Sequence, residues 1–197
     1  GPGAIEATRR KGIRDYLTKA YETYHGKDPE GLQQLLATTK ANATPPAGFA
    51  ILSAAEVKEK KHEALAKQSP SLALWVKLKD AVVADPAYFE TGMKGALIPP
   101  DGEQPFRATV ISATPAKAPK EVVLGIRDAN TPEVTLKIMD TALPGPADPG
   151  TVIAFRGVAT ALQSEPFMMT FEADRKNVEG WPTPKAPVRK ATAKKKK

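Results

Sequence analysis

The chain has no cysteine, which excludes disulfides, thiolate metal sites and a cysteine nucleophile together. It has two histidines, His25 and His62, so a site built from several imidazoles is out of reach. No stretch approaches the ~18 consecutive apolar residues of a membrane span. The N-terminus carries no apolar core of a secretory signal; any such signal is absent from this chain, and periplasm and cytoplasm both stay open. No G-x-S-x-G elbow, phosphate-cradling glycine loop or dinucleotide fingerprint occurs. Aromatic residues are only 6% of the chain, which leaves few rings for a stacking surface. These absences point away from an enzyme and imply no cofactor.

Charge looks informative until it is located. The net charge is +7. Residues 182–197 hold Lys185, Arg189, Lys190 and Lys194 to Lys197, seven cations with no acid, so the rest of the chain sums to zero. A segment rich in Lys, Pro and Ala cannot bury enough apolar surface to fold and is expected to be a disordered basic tail. It could solubilise the protein or contact a polyanion weakly and without specificity.

What is present is a helical half and a strand half. Ile13, Tyr16, Leu17, Ala20, Tyr21 and Tyr24 recur at helical spacing, which predicts an amphipathic helix over residues 4–25. Arg9, Arg10, Lys11 and Arg14 cluster in its first half, and a solvated helix face is the simplest account of them. Gly26 suits a helix end. Asp28-Pro29 then reads as N-cap and first residue of a second helix that buries Leu32, Leu35 and Leu36. Pro45-Pro46 forces residues 42–52 into an extended connector, with Phe49 and Ile51 as anchors. Ser53 and Glu56 form a capping box that opens a third, largely polar helix. Ser69-Pro70 opens a fourth, with Leu74, Trp75, Leu78 and Val82 inward. The turn Pro99-Pro100-Asp101-Gly102 is the expected boundary, giving a helical scaffold over residues 1–100.

Residues 103–181 hold five segments that alternate with period two: 105–115, 121–128, 133–140, 151–161 and 166–174. The inward set is Phe106, Ala108 and Val110; Val122, Leu124 and Ile126; Val134, Leu136 and Ile138; Ile153 and Phe155; Phe167, Met169 and Phe171. Gly125 and Gly157 suggest bulges or sharp coiling where a small sheet closes on itself. Three strands, a Pro/Gly-rich break over 143–150 and two further strands give the segment order of a five-stranded antiparallel OB-like barrel. The block carries its own core and is expected to fold alone. The fold class is thus α+β, a repeat-like helical segment followed by this barrel and the tail.

The runs Tyr24-His25-Gly26 through Pro45-Pro46-Ala47-Gly48-Phe49 and Leu74-Trp75 resemble the C-terminal region of certain bacterial tetratricopeptide-repeat proteins. Pro119-Lys-Glu-Val-Val-Leu124, Val134-Thr-Leu136, Phe155-Arg-Gly-Val158 and Pro166-Phe-Met-Met-Thr-Phe171 resemble the same proteins. The resemblance implies helical-repeat remnants followed by an OB-like domain. A full repeat array needs three or more helix pairs, and this chain has one or two.

His62-Glu63-Ala64-Leu65-Ala66 opens like a zinc-protease helix but has Ala66 where the second imidazole must stand. Glu59, His62 and Glu63 share adjacent helix positions and read most simply as a solvated face. His25 is a residue that a helix C-terminus favours. An OB-type barrel binds single strands by stacking bases on aromatics of its second and third strands. The outward positions there are Val123, Gly125, Arg127, Thr135, Lys137 and Met139, none of them aromatic. The expectation is therefore a non-enzymatic scaffold module for a protein or peptide partner. The alternative is nucleic-acid binding through the tail and barrel surface, with Arg107, Arg127, Lys137, Arg156, Lys194, Lys195, Lys196 and Lys197 as the candidate cations.

Overall fold

The computed structural model describes residues 6–41 and 50–183. Four α-helices and a short π-helical turn precede an eight-stranded curled sheet. Two compact units share the chain, the first ending at Ala64 and the second beginning at Leu65. The basic tail beyond residue 183, with Lys194 to Lys197, and the connector over 42–49, with Phe49, lie outside the described residues.

In the first unit α1 spans Ala7–His25 and α2 Pro29–Ala41. Gly26 between them has φ +91°, a conformation that side chains rarely adopt. The Gly31 amide donates to Asp28 Oδ1 at 3.0 Å, which satisfies a free N–H at the start of α2. α3, Ala54–Gln68, opens in this unit on the expected box, and its last turn belongs to the second unit. The Ser53 amide donates to Glu56 Oε2 at 2.7 Å and the Glu56 amide to Ser53 Oγ at 3.2 Å. The core of α1 departs from expectation: of its apolar stripe only Tyr21 is buried. Ile51 is not an anchor either, since it too is exposed.

In the second unit α4 runs Pro70–Ala84, with Pro70 in its first turn but no hydrogen bond from the Ser69 side chain. The strands are β1 Leu97–Ile98, β2 Phe106–Thr114, β3 Glu121–Gly125 and β4 Val134–Ile138, then β5 Val152–Phe155, β6 Gly157–Gln163, β7 Met168–Ala173 and β8 Val178–Glu179. Their order in the sheet is β1-β6-β7-β4-β3-β2-β5-β8. The expected five segments are therefore six strands, β2 to β7, and the short β1 and β8 lie outside them. Segment 151–161 breaks at Arg156 into β5, which pairs with β2, and β6, which pairs with β7. The sheet is not wholly antiparallel, because β4 and β7 run parallel. The bulges fall at Val110/Ser112, next to the residue that pairs with Gly125, and at Ala159/Ala161, two residues beyond Gly157, and not at the glycines themselves. Gly125 instead serves close approach: a Cβ there would collide with the carbonyl oxygens of Asp128 and Thr131.

Alternation holds well inside the strands. Of the fourteen side chains expected inward, all but Ile126 and Phe167 are buried, and those two pack against the core. The boundary expected at 99–102 lies within the second unit, because α4 belongs to the sheet's core. Trp75 is wholly buried, with ring centroids 5.6 Å from Phe106, 6.1 Å from Phe167 and 6.4 Å from Phe171. Such edge-on and tilted aromatic pairs add to the burial term. Phe171 joins that cluster to Phe155, 5.8 Å away, and Phe106 lies 5.7 Å from Phe155.

Candidate interaction surface

The largest departure from ordinary burial lies on α1. Ile13 is 53% exposed, Tyr16 76%, Leu17 36% and Tyr24 55%. Isolated exposed apolar residues are ordinary, but here four share one stripe over three helical turns. Tyr21 and His25 hold the helix in place from another side. The Tyr21 hydroxyl lies where a Cβ on Gly31 would stand, and the Tyr21 and His25 rings are 4.8 Å apart. At 100° per residue, the stripe points about a quarter-turn away from this pair. It is thus a second face of α1, distinct from the one that packs.

Below it lies a polar joint. His25 Nδ1 is 2.5 Å from the Leu52 carbonyl oxygen, and Nε2 is 3.3 Å from Asp28 Oδ2. A carbonyl oxygen only accepts, so Nδ1 carries the proton. The Gly31 N–H holds the Asp28 carboxyl below its usual range, helped by His25 and Lys61 and opposed by desolvation. Burial raises the Tyr21 phenol, and Asp28 adds to this. Lys27, Lys58, Lys61, Asp28 and Glu30 line a hollow of about 620 Å³ beside the joint, a mixed lining that favours neither sign.

On the sheet, the candidate cations are dispersed. Arg156 sits at the β5–β6 break and is engaged within the chain, donating to Asp101 Oδ1 at 3.0 Å and to the Glu103 carbonyl at 2.9 Å. Arg127 Nε donates to Glu133 Oε1 at 3.2 Å. Lys137 stands in the ladder between Glu121 of β3 and Glu172 of β7, so its row is acidic on both sides. Arg107, opposite Ala154, lines a hollow of about 360 Å³ with Val152 and Glu179. Lys137 is level with Thr114, seven residues along β2 from Arg107, or about 20 Å. Nothing in this arrangement gathers the four into one patch. Among the described residues, no group of three or more histidine, aspartate or glutamate side chains is placed to hold a metal ion, Glu59, His62 and Glu63 included. No described helix is long and apolar enough to cross a membrane.

No protein-family model matches this chain, and no curated protein or solved structure is significantly similar to it.

One feature of the second unit escaped the sequence pattern. Glu133 is 1% exposed yet sits just before β4, where alternation would turn it outward. Its carboxylate accepts from Lys79 Nζ at 2.6 Å, from the Arg127 amide at 2.9 Å and from the Ile126 amide at 3.3 Å, besides Arg127 Nε. Lys79 also lies 4.3 Å from the Phe167 ring centroid. Burial pushes the carboxyl up, but these donors more than offset it and hold Glu133 below its usual range. The contacts tie α4 to the β3–β4 connection and are structural. The only sequence signal was Gly125, whose crowded backbone lets the connection fold over the strand end.

Proposed function

We propose that this chain is a non-enzymatic interaction module, a helical scaffold joined to an OB-like barrel, which docks a protein or peptide partner through α1. One observation carries the reading: α1 exposes Ile13, Tyr16, Leu17 and Tyr24 on one stripe while Tyr21 and His25 secure it from another side. Recognition of a helix uses anchors at i, i+3, i+4 and i+7. Ile13, Tyr16, Leu17 and Ala20 have that spacing, with Tyr24 one turn on.

The OB-like reading of the second unit rests on its strand circuit. Pairing runs β2–β3–β4–β7–β6, and β6 continues directly into β5, which returns to β2. Five chain segments thus make a ring, with a parallel step between the third and the last. The short β1 and β8 extend the ladders at its ends. The α1–α2 pair is in keeping with a remnant of a tetratricopeptide-type repeat.

The test is site-specific photo-crosslinking in the source cells, with a photoreactive phenylalanine analogue at position 16 and, as control, at the exposed position 117 of the sheet unit. A discrete protein adduct from position 16 alone is expected, and Leu17→Asp should remove it. Equal adducts from both positions, or an adduct insensitive to Leu17→Asp, would refute α1 as the docking element.

A further inference from the structure

We infer that the partner presents an acidic amphipathic helix, seated lengthwise on the Ile13–Tyr24 stripe of α1. The inference rests on the docking role proposed above and adds the partner's chemistry. α1 carries Arg9, Arg10, Lys11, Arg14 and Lys19 against Asp15 and Glu22, a net charge of +3. The placement matters more than the sum. Arg9 lies one turn before Ile13 on the stripe, Arg14 three residues before Leu17 on the flank toward Tyr21, and Lys19 three residues after Tyr16, so cations border the N-terminal half of the apolar surface. Asp15 and Glu22 fall on the opposite side of the helix. A partner laid on the stripe therefore meets apolar anchors at its centre and cations at its rim.

The shape fits a helix better than an extended strand or a flat surface. From Ile13 to Tyr24 the stripe is about 16 Å long, three turns of helix. Ala20 leaves a low point between Tyr16 and Tyr24, and a helix can lay its own ridge of side chains there. Two tyrosines supply large, stiff contact area, with hydroxyls able to reach the wet rim. A strand would need unpaired backbone edges, which a helix surface does not offer. Rim charges set specificity and encounter rate more than raw affinity, so exchanging their sign should redirect binding.

The probe is a synthetic helical peptide with leucines at i, i+3, i+4 and i+7 spacing and glutamates at the flanking positions. Its counterpart replaces each glutamate by lysine. Both are titrated by fluorescence anisotropy into the full chain at 0.1 M salt, alongside vesicles of phosphatidylcholine with phosphatidylglycerol. The glutamate peptide should bind at least tenfold more tightly than the lysine peptide and weaken several-fold at 0.5 M salt. The double variant Arg9→Glu, Arg14→Glu should reverse the preference, which a variant that merely unfolds cannot do. Equal affinity for both peptides, or binding to neither, would overturn the acidic-helix inference. The docking role would then stand or fall separately on the adduct from position 16. Binding to the vesicles with no preference between the peptides would also overturn it, in favour of an anionic lipid surface.

Discussion

Removing the charge of Glu133 should cost the second unit about 2 to 4 kcal/mol. Glu133→Gln keeps the size and one acceptor oxygen, but its amide nitrogen must then face either Lys79 and the Arg127 side chain or the two backbone N–H groups. Breaking a buried ion pair from one side costs about 3–5 kcal/mol. The lower figure applies here because Arg127 is half exposed and can turn to water, whereas Lys79, 16% exposed, is more confined. For about 120 described residues in this unit, unfolding entropy is about 0.25 kcal/mol/K. The melting temperature should thus fall by roughly 8–16 °C. Urea unfolding followed by tryptophan fluorescence reads the loss, and Lys79→Met with the double variant isolates the pair. The pH dependence gives a second check. The folded carboxyl lies below the unfolded value of ~4.3, so its contribution is full above that value and disappears as pH falls through the lower folded value. The gap between wild type and Glu133→Gln should stay constant from pH 6 to 8 and close in acid. Asp28, Glu56, Asp128 and Asp140 are also held low, each chiefly by a backbone N–H, but they titrate alike in both proteins. A loss under about 1 kcal/mol, within the range of ordinary surface substitutions and their scatter, or a gap indifferent to acid, would refute the network's structural role.

Trp75→Ala should cost about 3–5 kcal/mol as a wholly buried aromatic. Trp75→Phe should cost clearly less, since the buried indole N–H has no hydrogen-bond partner among the described residues; equal costs in urea melts would contradict this. Because Trp75 completes the core, residues 103–181 alone should give a dye-binding product without a cooperative melt, while residues 65–183 should melt cooperatively; the reverse would move the boundary back to the turn at 99–102. Phe155→Ala and Phe171→Ala should each cost about 3–5 kcal/mol, and a loss below about 1 kcal/mol would mean a shifted register. A chain ending at residue 181 should ignore single-stranded oligonucleotides in anisotropy titrations, because Lys137 is flanked by acids and Arg156 is engaged internally. Sub-micromolar binding would make the sheet surface a nucleic-acid site.

Local chemistry was the most legible layer of the sequence. Ser53 and Glu56, Asp28-Pro29 and Gly26 act through neighbours in the chain, so their geometry follows from spacing alone. Period-two alternation found twelve buried strand side chains because each ladder imposes it. It failed at Glu133, which precedes its strand and is buried by donors from α4 and from the β3–β4 connection. The same nonlocal contact hid the unit boundary: Trp75 reads as a helix stripe residue, and nothing in its spacing tells that the rings it meets are Phe106 and Phe171. For α1 the periodicity gives the helix and its stripe, yet Ile13, Tyr16, Leu17 and Tyr24 stay exposed. An apolar stripe marks a face that some surface covers, and within this unit only Tyr21 finds one.

On the proposed docking role, a partner covers that stripe in the cell. Hydroxyl-radical footprinting of Ile13, Tyr16, Leu17 and Tyr24 tests it whatever the partner's identity, with Val83 and Met139, 63% and 55% exposed, as internal references. The four should react freely in the purified protein and severalfold more slowly in the cell, while both references react alike in the two settings. Unchanged reactivity of all six residues would contradict it.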